Sequence, residues 1–239
     1  MPKIKKKAKS LMQTEAEIKS IAHHASEYYQ VYQKQFNLAI AAVVLAIAVT
    51  LIYSLMQSAN EKKAGQMLST AYDAYSPGGG APANYPQALQ RFQDIVKQYG
   101  GTVNGAIAQF YIGNVYVQMG QPEAALKEYE TFIKKHSGEQ FLLGLVYQRM
   151  GYTYLAMGKQ DEAVKAFGQA EALEGTGLAT YELARLYDRA GKSDEALKKY
   201  KDISEKLPAS SWAMEARKKI PPPDLGQAPK PAQPAAAAK

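Results

Sequence analysis

The sequence predicts an all-α protein in which one apolar helix precedes a stack of helix pairs. Three observations predict this class. An uncharged apolar run fills residues 37–56, the part after it repeats a pattern of small and aromatic residues, and none of the 239 residues is cysteine. The run is long enough for a membrane span, and the repeats are typical of stacked helical units. The lack of cysteine excludes disulfides, a zinc–cysteine cluster and a catalytic thiol.

Residues 1–36 form the first predicted element, a basic segment with seven lysines and three glutamates. Most of the net charge of +7 therefore precedes residue 37, because residues 61–220 hold twenty basic and eighteen acidic residues. A nucleic-acid-binding domain would carry a basic face on its folded part, and none is indicated. Adjacent His23 and His24 face different ways on a helix, which predicts a surface position and no metal site.

An apolar stripe at helical spacing also runs along this segment: Ile18, Ile21, Ala25, Tyr28, Tyr32 and Phe36. Together with the lysines, it predicts a cytoplasmic amphipathic helix. Such a helix could lie on the anionic inner leaflet or pack on a membrane partner. The alternative is that it only extends the span and directs its insertion.

Residues 37–56 form the second element, a predicted transmembrane helix. No charge occurs between Lys34 and Glu61, and twenty residues make roughly 30 Å of helix, the thickness of a bilayer core. The long, glutamate-containing segment before it is unlike a cleaved signal peptide. Lysines cluster before the span, so the N-terminus is predicted to be cytoplasmic. We expect a single-pass protein of a bacterial inner membrane with residues 57–239 in the periplasm. The alternative is an organelle outer membrane with the repeats in the cytosol.

Residues 57–220 form the third element, in which three segments align with internal spacings of 3, 4, 5 and 4. The aligned residues are Gly113, Tyr116, Gly120, Ala125 and Tyr129; Gly151, Tyr154, Gly158, Ala163 and Phe167; and Ala184, Tyr187, Gly191, Ala196 and Tyr200. Ala88 and Phe92 supply part of an earlier unit. The units are 38 and then 33 residues apart, and the longer period predicts a longer connection at residues 136–139.

Each aligned position has a packing role. The first small residue lets two helices approach, and the aromatic residue after it fills the groove beside it. The glycine in the middle ends the first helix in a left-handed conformation. Asp161, Asp194 and Pro122 favour the start of the second helix. The last aromatic of each unit is expected to bury against the next unit. These residues therefore specify packing and no chemistry.

The ends of this element complete the predicted stack. Residues 60–76 fit the first helix of the earliest unit, with 77–84 as an insertion. Residues 210–220, which include Trp212, fit a capping helix over the last apolar face. After it, residues 221–239 form the fourth element, a Pro/Ala-rich tail predicted to be disordered.

Over residues 85–208 the pattern resembles the tetratricopeptide repeat, a helix–turn–helix unit of 34 residues. The resemblance implies an α-solenoid whose first helices line a partner-binding groove. Its groove offsets fall on Phe110, Asn114, Val117, Gln118, Gln148, Tyr152, Leu155, Tyr181, Arg185, Asp188 and Arg189. This set of tyrosines, amides and arginines suits an extended peptide. One subtype of the family grips a C-terminal carboxylate with a lysine and an asparagine, but Phe110 stands where that lysine is required.

No pattern in the chain indicates an enzyme. We find no nucleophile beside a base, no paired carboxylates, and no metal-binding or cofactor-binding motif. The whole architecture resembles the YfgM-like ancillary Sec-translocon subunit family. That resemblance implies a membrane-anchored interaction module that recruits periplasmic chaperones or client chains at the translocon. The alternative is a structural scaffold subunit of another cell-envelope assembly, such as secretion, pilus or cell-division machinery.

Overall fold

The computed structural model describes residues 3–79 and 81–222, with side chains at residues 19, 20, 23, 26 and 27 and from residue 29 onward. The chain divides into two compact units between Asn60 and Glu61. All regular structure in the described residues is helical. The helices are α1 Lys3–Tyr75, α2 Tyr85–Tyr99, α3 Val103–Gln118, α4 Pro122–Lys135, α5 Gln140–Ala156, α6 Gln160–Glu174, α7 Leu178–Arg189, α8 Ser193–Lys206 and α9 Ser211–Lys219.

The first unit consists of the N-terminal part of α1. The helix segment Tyr29–Tyr75 is long and apolar enough to cross a membrane. Its large apolar side chains are exposed on all sides within the unit, as at Leu38, Leu45 and Leu55. A helix that is apolar all round needs an apolar environment, and a bilayer supplies one.

Several predictions for the chain ends fall outside what the structure describes. In the apolar stripe, the side chains of Ile18, Ile21, Ala25 and Tyr28 lie outside the described residues, as does that of His24. His23 Nδ1 lies 3.5 Å from the Glu27 carboxylate, one helical turn away. The predicted disorder of the Pro/Ala-rich tail concerns residues that, apart from 221 and 222, also lie outside the description.

The second unit is a stack of helix pairs. Residues 61–75 of α1 pair with α2, and α3–α4, α5–α6 and α7–α8 follow, with each helix packing on the next and α9 on α8. Ala64 and Ala71 are fully buried against Ala88 and Phe92 of α2. Residues 61–75 therefore form the first helix of the earliest pair, as expected. The first helices α3 and α5 also contact each other directly.

The three middle glycines end the first helices as predicted. Gly120, Gly158 and Gly191 have φ angles of 71°, 73° and 71°, a region that disfavours residues with a Cβ. At the first of these turns, the Gly120 N–H donates to the Val117 carbonyl at 3.0 Å, and the Gln121 N–H donates to the Tyr116 carbonyl at 2.9 Å. The other two turns repeat both bonds. Each is a Schellman motif, which satisfies carbonyls that the helix end leaves open.

The first turns of the second helices also contain the residues that the sequence predicts there. Pro122 lies in the first turn of α4, and Asp161 and Asp194 lie in the first turns of α6 and α8. Thr102 caps α3 by accepting the Gly105 N–H at 2.9 Å, and Ser210 caps α9 by accepting the Ala213 N–H at 3.1 Å. Such caps stabilise a helix by about 1 kcal/mol each.

The small residues and aromatic rings build the interior. A Cβ on Gly113 would overlap the ring of Tyr129, and one on Gly151 would lie 2.7 Å from Cζ of Phe167. The aromatic residue therefore packs first on the small residue of its own pair. The buried residues form four successive clusters, and Tyr116, Tyr154 and Tyr187 each contact two neighbouring clusters. These three tyrosines bridge consecutive pairs.

The connection at residues 136–139 is longer than the one between α6 and α7, as expected, but by only one residue, which does not account for the 38-residue period. This connection has four residues, against three between α6 and α7. The longer period arises mainly because α5 has 17 residues and α7 has 12. The residues QFLLGLVYQRM contain no proline and continue the helix, so the additional residues form one more helical turn before Gly151.

Candidate functional site

A pocket of about 350 Å³ lies where α3 and α5, the first helices of two consecutive pairs, face each other. It is lined by Tyr75, Asn114, Val117, Gln118, Gly120, Pro122, Tyr129, Arg149, Tyr152, Thr153 and Ala156. We call this the groove pocket. Its size lies at the lower end of the range of small-ligand pockets. It can therefore accept one or a few side chains of a partner.

A buried hydrogen bond forms the floor of the groove pocket. The Tyr129 hydroxyl donates to Asn114 Oδ1 at 2.7 Å, and both residues are buried. Burial raises the pKa of Tyr129 far above its ordinary value, with the positive charge of Arg149 acting in the opposite direction. The phenol therefore stays protonated and holds the asparagine amide in one orientation.

Arg149 supplies the positive charge of the groove pocket. Its side chain is exposed, and in the part of the chain that the structure describes its guanidinium is in no ion pair. Burial raises the pKa of Tyr75 and of Tyr111, and Arg149 lowers each in part. The positive charge of Arg149 on α5 thus opposes the increase in the pKa of tyrosines on α1 and α3.

An aromatic cluster adjoins the groove pocket. The ring of Tyr75 lies 5.4 Å from that of Tyr111 and 6.0 Å from that of Tyr85, each in an edge-on arrangement. Tyr72 packs edge-on against Tyr111 at 5.5 Å and is 42% exposed. The floor beside Arg149 is therefore rich in aromatic rings and partly open to solvent. Such rings provide large contact areas at low entropic cost.

A second network lies on α5 and α7. The Tyr152 hydroxyl donates to Glu182 Oε1 at 3.2 Å, and Arg185 Nη1 donates to both carboxylate oxygens of Glu182 at 3.1 Å. Arg185 also lies 5.8 Å from the ring centre of Tyr181. Burial, followed by the negative charge of Glu182 and its hydrogen bond, raises the pKa of Tyr152 to about 12. Glu182 thus neutralises Arg185, whereas Arg149 has no such counter-charge among the described side chains.

The predicted groove residues occupy different environments. Asn114, Val117, Gln118 and Tyr152 line the groove pocket together. Tyr181 and Arg185 belong to the Glu182 network, and Arg189 is exposed near the end of α7. Leu155 is partly buried and packs against the third core cluster. Gln148 donates to the Glu174 carboxylate, and Asp188 pairs with Lys219 at 2.9 Å.

Phe110 is 7% exposed and, unlike Asn114, which is also buried, belongs to a core cluster. Its ring packs beside Tyr111 and Tyr129. The structure therefore assigns this ring mainly to packing.

Several residues of the site were not among the predicted groove residues, and Arg149, Tyr75 and Glu182 are three of them. Arg149 lies between packing residues of α5, Tyr75 belongs to a different pair, and Glu182 is a charged residue that is 7% exposed. The tyrosines could have been suspected from their number, since the chain has 17. No local pattern marks Arg149 or Glu182.

The polar groups of the groove pocket are amides, phenols, one threonine hydroxyl and one guanidinium. Among the residues that the structure describes, no group of three or more histidine, aspartate or glutamate side chains could hold a metal ion. The arrangement can donate hydrogen bonds, stack on a partner and attract an anion.

Comparison with known families gives one match. The sequence profile of the family described as "Tetratricopeptide repeat-like domain" matches residues 26–216. No curated protein matches the chain in sequence.

Solved structures with the same repeat fold are also similar. A tetratricopeptide repeat protein from Parabacteroides merdae is 14% identical, with a TM-score of 0.54, 66% of this chain covered and 59% of the other. This chain thus spans less than two thirds of that protein. A putative kinesin light chain with TPR-like repeats from Podosopora anserina is 16% identical, with a TM-score of 0.51 and coverages of 66% and 83%. MamA from Desulfovibrio magneticus RS-1 is 13% identical, with a TM-score of 0.50 and the same coverages. At these identities the similarity shows the fold alone.

Proposed function

The chain belongs to the tetratricopeptide repeat-like domain family, and from that premise we propose that it is a membrane-anchored protein–protein interaction module. Its repeat unit binds an extended segment of a partner protein, and residues 37–56 anchor it in the membrane. The observation that carries the proposal is the groove pocket, because it lies between first helices and is lined by tyrosines, amides and one guanidinium that is in no ion pair with a described residue. The proposal includes no catalytic role and no cofactor.

The site of this proposal combines the groove pocket with the Glu182 network. Asn114, Gln118 and Tyr152 provide the pocket contacts, and Tyr181, Arg185 and Arg189 extend the surface along α7. Gln148 and Phe110 support the site from its edge and from the core. Tethering to a membrane raises the effective concentration of partners held at the same membrane, so a modest affinity is sufficient.

We further propose an inner-membrane location with residues 1–36 in the cytoplasm, residues 57–220 in the periplasm and the tail of residues 221–239 following them. The lysines before the span support this orientation. The resemblance of the architecture to the YfgM-like family supports the partners: Sec-translocon subunits, with periplasmic chaperones or client chains recruited beside them.

The experiment is an affinity purification of the tagged full-length chain from its own membrane in mild detergent, read by mass spectrometry. Tyr152→Ala is the groove variant. Phe141→Ala is the matched control, because Phe141 is an aromatic residue on the same helix, is 75% exposed and does not line the groove pocket. We expect translocon and chaperone subunits with the unchanged protein and with Phe141→Ala, and loss of the chaperone with Tyr152→Ala.

A different result would favour the scaffold alternative. If subunits of one other envelope assembly co-purify in fixed ratio, and Tyr152→Ala retains them all, the groove pocket is not the interaction site. The protein would then act as a structural subunit, and the recruiting role would be refuted.

A further inference from the structure

Resting on the proposed function, we infer that the groove pocket selects partner segments that carry an acidic side chain beside an apolar one. Arg149 pairs with the carboxylate, and the rings of Tyr75 and Tyr152 cover the neighbouring apolar group. Arg149 is then the residue that determines which partner segments the groove pocket accepts.

The cations of the repeat unit differ in whether a carboxylate neutralises them. Arg185 is paired with Glu182, and Lys219 is paired with Asp188. Within the described residues Arg149 is in no such pair, although it lines the groove pocket. Of the described residues that line the pocket, none is aspartate or glutamate. An incoming carboxylate therefore meets one positive charge and no opposing negative charge in the lining.

The polar side chains of the groove pocket offer more hydrogen-bond donors than acceptors to a ligand. Asn114 Oδ1 already accepts from the Tyr129 hydroxyl, so the side chain has its N–H group left to offer. Gln118 Oε1 lies 3.5 Å from the Tyr85 hydroxyl, which donates to it. The guanidinium of Arg149 adds a planar set of donors that matches a carboxylate. The groove pocket therefore presents donors to a ligand that accepts.

Part of the lining of the groove pocket is apolar. Val117, Pro122 and Ala156 lie in the same pocket as the two tyrosine rings, and Val117 is 38% exposed. Apolar walls exclude water from a bound carboxylate and strengthen its attraction to the cation. An aliphatic or aromatic side chain next to the acid in the partner segment would contact these walls. A free inorganic anion would leave them uncovered.

The test uses the full-length chain in lipid nanodiscs and peptide mixtures with one fixed central residue. The fixed residue is Asp, Asn or Lys, and the flanking positions are drawn equally from Leu, Tyr, Pro, Ser and Ala. Binding of each fluorescent mixture is measured by anisotropy. We expect the Asp mixture to bind roughly tenfold more tightly than the Asn mixture, as a charge-assisted hydrogen bond would give. The preference should weaken with added salt.

Variants test whether Arg149 causes the preference for the Asp mixture. Arg149→Gln should bring the affinity of the Asp mixture to that of the Asn mixture, and Arg149→Lys should keep part of the difference. Lys127→Gln is the control, because it removes one positive charge from an exposed position on α4 outside the groove pocket. It should leave the preference unchanged.

The outcomes separate this inference from the proposed function. Suppose that the Asp and Asn mixtures bind with equal affinity, that Arg149→Gln changes neither affinity and that Tyr152→Ala weakens both. The groove then binds peptides without selecting acidic ones. The inference then fails while the proposed function stands. If no mixture binds above the level of the Tyr152→Ala variant, the groove is not a peptide site and both fail.

Discussion

Two glycines in neighbouring helices have opposite surroundings. In α5, a Cβ on Gly151 would lie 2.7 Å from Cζ of Phe167, whereas in α6 a Cβ on Gly168 would have no atom within 4 Å. The first glycine is required by packing, because the ring occupies the space that any side chain would need. The second is a helical position that alanine would suit better.

Gly151→Ala is therefore expected to lower the free energy of unfolding by roughly 1–3 kcal/mol, the usual cost of overpacking a core. Gly168→Ala should raise it by about 0.5–1 kcal/mol, because alanine loses less entropy in a helix. Urea unfolding of the full chain, followed by circular dichroism, measures both. Equal effects of the two changes would contradict the packing role of Gly151.

Tyr152 gives a prediction for pH. Its pKa is raised from 10.0 to about 12, first by burial and then by the charge and hydrogen bond of Glu182. The folded protein therefore holds this proton more tightly than the unfolded chain does. The stabilisation is complete below pH 10 and is lost as the pH rises from 10 to 12. NMR titration of ring-labelled tyrosine, assigned with Tyr152→Phe, measures the pKa. Glu182→Gln should lower it, and an unchanged value would contradict the assigned cause.

The role of a residue could be predicted from the sequence where that role depends only on residues close to it in the chain. The backbone at Gly120, Gly158 and Gly191 is determined by the turn in which each lies, so their spacing alone was sufficient. Arg149 and Tyr75 could not be found in this way, because their shared pocket exists only after residues from several helices meet. Phe110 matched a groove offset, but the pattern could not show that neighbouring rings would cover it.

At the scale of single helices, the N-terminus of α3 is capped by Glu61, a residue of another helix. The Glu61 carboxylate accepts the N–H groups of Val103 and Asn104, each at 2.9 Å, and Asn104 Nδ2 donates to the Glu61 carbonyl at 3.2 Å. A negative charge at a helix N-terminus is favourable, because free N–H groups point at it. Glu61 therefore joins the first helix of the repeat unit to the third.

Glu61→Gln is expected to lower the free energy of unfolding by about 1–2 kcal/mol, because it removes a charge and one acceptor oxygen from these N–H groups. Glu205→Gln, on an exposed part of α8 near its C-terminal end, is the control and should have little effect or a slightly favourable one. Urea unfolding of the full chain at low and high salt checks this. A loss no larger than that of the control would show that the bonds to α3 contribute nothing.

Helix order and helix ends were predictable because caps and glycine turns are short-range signals. Helix length was less predictable. The 38-residue period predicts a longer connection, yet most of its additional residues extend α5. A repeat period gives the number of residues between two aligned positions but does not show whether they lie in a helix or in a connection. Here the additional residues are a continuous run of helix-forming residues, so they add a turn to α5.

At the scale of the whole molecule, the proposed span depends on the sum of many apolar side chains. One charge near its middle should therefore have a measurable cost. Leu45→Lys is expected to oppose membrane insertion by about 3 kcal/mol. Ser58→Lys, placed after the span, should have a small effect. The fraction of chain resistant to alkaline carbonate extraction measures insertion. If the full-length chain is extracted whether or not Leu45 is changed, residues 37–56 do not anchor it.

The large-scale organisation was visible in the sequence because repeats and apolar runs are statistical features of many residues. The partner was not visible, because the repeated positions are used for packing and the groove residues vary independently of them. The groove pocket provides the chemistry from which a partner can be sought.

The separate core clusters have a consequence for optical spectroscopy. The only tryptophan of the chain, Trp212, packs on the last cluster, whereas the 17 tyrosines are spread along the molecule. Tryptophan emission therefore reports the C-terminal end, and circular dichroism reports all helices. In repeat proteins each unit contacts only its neighbours, so the end can open before the middle. We expect the tryptophan transition to come at lower urea than the dichroism transition. Coincident transitions would mean that the whole stack unfolds as one cooperative body.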